Sequence, residues 1–161
     1  MNATASSACN VLRHPLLQRG VRLHARFETL LGWFTPLVDL AVRLWVAQAF
    51  FASGLTKIAS FDSTVLLFTY EYQVPLLPPM LAAVLGTAAE LALPVLLVLG
   101  LGGRLPAAAL FVFNIIAVIS YPALEAAGLH EHQLWGLLLL VTLTHGPGAL
   151  TLDRLLGRWS R

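Results

Sequence analysis

Apolar residues fill four long stretches of this chain, and the polar positions that interrupt them recur at helical spacing. The cleanest stretch is Met80–Gly100, whose one ionisable residue, Glu90, sits near its middle. A helix needs about 20 residues to cross a bilayer, and this run supplies them. Pro78-Pro79 opens it and Gly100-Leu-Gly-Gly103 closes it. A first span is expected over Pro36–Ala59, with Pro36 in the first turn, where its missing N–H costs nothing. A third is expected over Leu105–Ala123, with Asn114 near its centre and Pro122 near its end. A fourth is expected over Gln133–Leu150, with Trp135 toward one end and His145 toward the other.

The remaining segments are too short or too polar to span. Residues 60–79 carry Phe68, Tyr70 and Tyr72, which suit the headgroup zone, and a short interfacial helix ending before Pro75 is expected. Residues 124–132 read as a polar loop. Ahead of the first span, Leu16, Leu17, Val21, Leu23, Phe27, Leu30, Leu31 and Phe34 alternate with Arg19, Arg22 and Arg26. That pattern predicts a basic amphipathic helix on the inner leaflet, weakened by Gly20, and the alternative is a tail that only supplies topology charges. Residues 1–10 are small and polar and are expected to be disordered.

Composition agrees with the pattern. Of 161 residues, 58% are hydrophobic and 11% charged, against about 25% charged in a soluble domain, so the chain reads as a membrane protein. Mean hydropathy is +0.78. The organisation expected is a tail over residues 1–35, a four-helix membrane domain over 36–157 and a short tail over 158–161. No cleavable leader is expected, the first span serving as an anchor. Arg13, Arg19, Arg22 and Arg26 precede the first span, Arg104 lies between the second and third, and Arg154, Arg158 and Arg161 follow the fourth. The other two connections hold Asp62, Glu71, Glu125 and Glu131. The positive-inside rule then places both termini in the cytoplasm. The fold class is therefore all-α, an integral membrane four-helix bundle. Trp159 is a further interface anchor. Cys9 is the lone cysteine and excludes an internal disulfide or a CxxC site. No internal repeat supports an inverted-repeat transporter.

Three constellations could carry chemistry. A carboxylate at mid-bilayer costs about 2.5–3.5 kcal/mol to insert, so Glu90 must be paired, protonated or facing a polar cavity. It lies about 16 Å from the start of its helix at a rise of 1.5 Å per residue. On the first span, Asp39, Arg43, Ala47, Phe50, Gly54 and Lys57 share a stripe expected to face the bundle interior. Asp39 and Arg43 are four apart and can pair, while Ser53-Gly54 offers small residues for close helix contact. Either Arg43 or Lys57 could approach Glu90. Such a core either fixes helix register or forms a ligand or proton site. The second constellation, His130-Glu131-His132, is a candidate metal or quinone contact, set against a polar helix start. The third is His145-Gly-Pro-Gly148 with Thr151-Leu-Asp153, where the glycines end the fourth helix, His145 is another candidate contact, and Asp153 caps the chain or pairs with an arginine. No phosphate loop, dinucleotide fingerprint, GxSxG or haem-attachment motif is present, so no metal or catalytic residue is assigned and no nucleic-acid partner is expected.

The run from Arg43 to Lys57, including Gly54, resembles the first helix of DoxX family proteins. Glu90 followed by Leu99-Gly-Leu-Gly-Gly-Arg104 resembles the family's second helix and turn, and Gly146-Pro-Gly148 with Leu152-Asp153 its C-terminal pattern. Where the family often has Ser-Leu-Asp, this chain has Thr151-Leu-Asp153. The resemblance spans about residues 37–157. It implies a small multi-pass protein of the bacterial inner membrane, associated with redox systems, the related DoxD proteins being membrane subunits of a thiosulfate:quinone oxidoreductase. It points to a subunit or anchor of a quinone-linked oxidoreductase in the lipid bilayer, not catalytic alone, with quinone as the implied cofactor and a redox protein as partner; a second copy is expected under a transporter reading, four helices being few for a transporter monomer. The competing functions are a small-molecule or ion transporter and a scaffold or assembly factor.

Overall fold

Helical propensity and uninterrupted apolar runs carry the chain into helices, and prolines and glycines set most of the boundaries. The computed structural model describes residues 15–157. Six helices follow one another: α1 (Pro15–Ala59), α2 (Phe61–Tyr70), α3 (Pro79–Leu99), α4 (Leu105–Ser120), α5 (Ala126–His145) and the single turn α6 (Leu152–Leu155). No strand occurs among the described residues. Two of the helices are long and apolar enough to cross a membrane, Gln18–Ala59 and Pro79–Leu99, and Leu105–Ser120 is apolar but shorter.

Three boundaries differ from expectation. Pro36 does not begin a helix. It lies inside α1, which runs through it as one 45-residue element. The absent N–H removes one bond to the preceding turn. The third long apolar helix, α4, ends at Ser120, three residues before Ala123, because the residue before Pro122 is pushed out of the helical region, and Tyr121 has φ −115° and ψ 87°. The fourth begins at Ala126 and ends at His145, so most of the expected loop 124–132 is helix and Gly146 stops the chain earlier than Leu150. A short helix ending before Pro75 and the Pro79–Leu99 helix fall where the pattern placed them, with Pro79 opening α3 and Gly100, at φ 62°, closing it.

The chain divides into two compact units, Met1–Pro36 and Leu37–Arg161. In the first, every described side chain from residue 18 to 35 is exposed. His24 and Glu28 pair there across one turn at 3.1 Å. Arg13, Cys9, Arg158, Trp159 and Arg161 lie outside the described residues.

The second unit has two apolar cores. Val46, Ala47 and Phe50 of α1 pack with Leu97 of α3, Ala107 and Leu110 of α4 and Leu139 of α5. Phe68 of α2 packs on Ala82 and Ala83 of α3. Small residues at these crossings let backbones approach closely, which is how apolar helices associate in lipid. Many large apolar side chains of α3, α4 and α5 stay exposed, among them Val84, Val112, Ile119 and Leu137, the outward face that a bilayer would cover.

Candidate functional site

The charged positions of α1 separate into two places. Near its end, the Lys57 ammonium donates to both Glu90 oxygens, at 2.8 Å to Oε1 and 2.7 Å to Oε2, and to Ser53 Oγ at 2.7 Å. Both side chains are almost fully enclosed, at 11% and 9% exposure, which is where an unpaired charge would be costly. Lys57 sits in the last turn of α1, where a cation is favoured by the helix dipole. Thr64 of α2 donates to the Lys57 carbonyl at 2.9 Å and covers that terminus.

Gly54 makes this pairing reachable. A Cβ there would lie 2.9 Å from Leu91 Cδ2 and 3.1 Å from Glu90 Cβ, so α1 and α3 touch backbone to side chain at this level. Gly54→Val should destabilise the protein by about 2–3 kcal/mol through overpacking, with Gly54→Ala milder because the Leu91 tip can yield. Denaturation of the purified variants in detergent micelles checks this, and a Gly54→Val variant as stable as the parent would contradict it.

Arg43 does not meet Glu90. It is 1% exposed and closes the other end of α3. Its Nη1 donates to the Leu97 and Val98 carbonyls at 3.2 and 2.9 Å, and Nη2 donates to the Leu150 carbonyl at 2.6 Å. The last carbonyls of α3 lack partners within their own helix, and a guanidinium fork can satisfy several at once. Toward Asp39, its Nε donates at 3.4 Å to the backbone carbonyl, so the side-chain pair that spacing allowed is not formed. The Asp39 carboxylate packs instead on Gly148, where a Cβ would come within 2.5 Å of Oδ2. Asp153 accepts the Gly103 N–H at 2.8 Å, tying the α3–α4 turn to α6, and Thr151 caps α6 by accepting from the Arg154 N–H at 3.3 Å.

The Lys57–Glu90 pair opens on a cavity of about 190 Å³. Phe50, Tyr72, Tyr121, His132 and Trp135 form much of its wall. Phe50 meets Trp135 at 5.5 Å between ring centroids, and Tyr72 lies between Phe68 at 4.8 Å and Tyr121 at 5.0 Å. The Gln73 N–H donates to the Ser120 carbonyl at 2.7 Å and holds the Tyr72 segment against the end of α4. Burial, with the Glu90 charge next, pushes the Tyr72 hydroxyl above its ordinary range, so it stays a proton donor.

Of the three histidines singled out by sequence, only His132 reaches this cavity. Asn114 Nδ2 donates to the His132 carbonyl at 2.9 Å, which fixes the amide so that Oδ1 faces His132 Nδ1 at 2.7 Å. An amide oxygen only accepts, so Nδ1 carries a proton, and in the neutral ring Nε2 is the nitrogen with the lone pair. His130 turns back on its own helix, with Nδ1 2.6 Å from the Ala126 carbonyl oxygen. The two therefore do not converge on one ion. His145, at the C-terminal end of α5, lines a different cavity. Among the described residues no group of three or more His, Cys, Asp or Glu is placed to hold a metal.

Ser53, Tyr72, Tyr121 and Asn114 join the site without having been singled out for it. Asn114 was detectable as a lone amide in an apolar helix, a residue that must find a partner across helices. Tyr72 and Tyr121 lie outside the helices, and spacing carried no signal for them.

A family model for DoxX matches residues 38–123, more than half of the chain and the part that holds Arg43, Gly54, Lys57, Glu90 and Asn114. No curated protein and no solved structure matches the chain. With that match over its charged helical core, the chain belongs to the DoxX family.

Proposed function

We propose that this protein is a membrane subunit of a quinone-linked redox system, with four spans and both termini in the cytoplasm of the bacterial inner membrane. The spans are the later part of α1, then α3, α4 and α5. The arginine distribution sets their direction, because Arg104 and Arg154 fall on one side and Asp62, Glu71 and Glu125 on the other. The observation that carries the reading is the buried Lys57–Glu90 pair walling a small cavity beside aromatic rings and the His132 imidazole. A cavity of about 190 Å³ admits a single polar ring, with aromatic faces to stack on and donors for its oxygens. A long apolar tail would lie outside it, among the exposed aliphatic side chains. The electrons would come from a redox protein partner, and the chain itself is not the catalyst.

Protein purified from native membranes should carry quinone in its organic extract and bring down a redox partner. A clean protein with neither, from a host that makes both, contradicts the proposal. The directness of the ion pair favours a second reading, a scaffold in which the pair only clamps α1 to α3. In that case an apolar pair replacing both residues preserves function.

A further inference from the structure

A second cavity, of about 840 Å³, lies at the other end of α3, between the α3–α4 turn and the segment joining α5 to α6. Arg104, His145 and Arg154 line it, and they come from three different segments. Neither arginine has a carboxylate within ion-pair distance among the described residues. The one acid on the wall, Asp153, is buried at 4% exposure and already accepts the Gly103 N–H. The two arginines therefore line the cavity without an ion-pair partner among the described residues, with the carboxylates of Asp153 on its wall and Asp39 against Gly148 held nearby.

Their placement is built rather than incidental. The Arg104 guanidinium rests on Gly146, with Nε 3.5 Å and Nη2 3.7 Å from where a Cβ would stand. Gly146, at φ 93°, turns the chain there and presents no side chain to the guanidinium. Arg154 is anchored through its backbone N–H on Thr151 Oγ1. The cavity also includes Leu105, the first residue of α4, and the positive end of that 16-residue helix. Beside the cations, Leu105, Leu150 and Leu155 are exposed.

Arginines without ion-pair partners around a cavity, bordered by exposed leucines, suit an amphiphile: a phosphate with acyl chains attached. We propose that this cavity binds the phosphate of an anionic phospholipid, with Arg104 and Arg154 as its donors and the leucines against its chains. Basic pockets at the cytoplasmic ends of membrane helices hold anionic headgroups in this way. The site is separate from the Lys57–Glu90 cavity and does not depend on what that cavity binds.

Native mass spectrometry of the full chain, titrated in detergent with phosphatidylglycerol or phosphatidylcholine, tests this. The wild type should retain phosphatidylglycerol in preference, and retention should fall about five-fold in each of Arg104→Gln and Arg154→Gln, the share of one arginine at an anionic headgroup. Arg104→Lys should keep most of it, and Arg22→Gln with Arg26→Gln, arginines that do not line the cavity, should lower it less than either cavity variant. Circular dichroism confirms that each variant is folded, and the exposed positions of both cavity arginines favour that. Equal retention of the two lipids, undiminished retention in the Arg104 and Arg154 variants, or equal loss in the Arg22/Arg26 control overturns the proposal. Millimolar inorganic phosphate that binds or stabilises the protein where phosphatidylglycerol does not would assign the site to free phosphate and also overturn it.

Discussion

Replacing Lys57 with methionine, or Glu90 with leucine, should each lower stability by about 3–5 kcal/mol, while the two changes together should be close to neutral. Each single change leaves an opposite charge enclosed with at most one weak neutral partner. For Lys57 that partner is the Ser53 hydroxyl, and for Glu90 nothing within α3 replaces the ammonium. The double change removes both desolvation penalties together, and methionine and leucine fill similar volume. A double-mutant cycle by denaturation in mixed micelles measures the coupling directly. Single variants within about 1 kcal/mol of the parent would mean that the pair is wet and weak, as exposed pairs are.

Arg43→Leu should cost about 3 kcal/mol or more, and Arg43→Lys should recover less than half of that. The guanidinium serves carbonyls at Leu97, Val98 and Leu150, which come from two separate parts of the chain. Leucine leaves them enclosed without donors, and a lysine ammonium lacks the planar fork that reaches both groups together. The loss should appear at the Gly100–Arg104 turn, because Gly100 packs against Arg43 Nη1 and Thr151 at once. Hydrogen exchange of the amides from Leu96 to Gly103 reads it out. Protection there unchanged in Arg43→Leu would contradict the capping role.

The contrast between these two cations shows where sequence reasoning succeeded and where it stopped. The stripe from Arg43 through Ala47, Phe50 and Gly54 turns inward as its spacing required, and it carries Lys57 to the same interior. Helical period is a local property, so it survives translation to three dimensions. Which cation meets Glu90 is a matter of helix offset, and nothing local encodes that. The offset is set where Gly54 seats against Leu91 and Glu90, a contact between residues far apart in sequence. Pro36 illustrates the opposite error. Proline has a strong local preference for a helix start, yet here the helix runs on through it. The histidines divide the same way: His130 and His132 are adjacent in motif terms, but Asn114 on a neighbouring helix singles out one of them. The tyrosines at 72 and 121 enter the site through the connections that follow α2 and α4, where residue pattern carries least information.

Whether the Lys57–Glu90 cavity receives a ligand, or the pair is only a clamp, decides the role of this site. Trp135 lines that cavity, so its fluorescence reports occupancy. With Trp33, Trp45 and Trp159 changed to phenylalanine, titration of a short-chain quinone into the purified protein should quench Trp135 saturably. In the folded Lys57→Met/Glu90→Leu variant, affinity should fall at least about tenfold, the loss expected for one charge-assisted hydrogen bond. The same quenching curve in both proteins, or no saturable quenching in either, would contradict ligand binding at the pair.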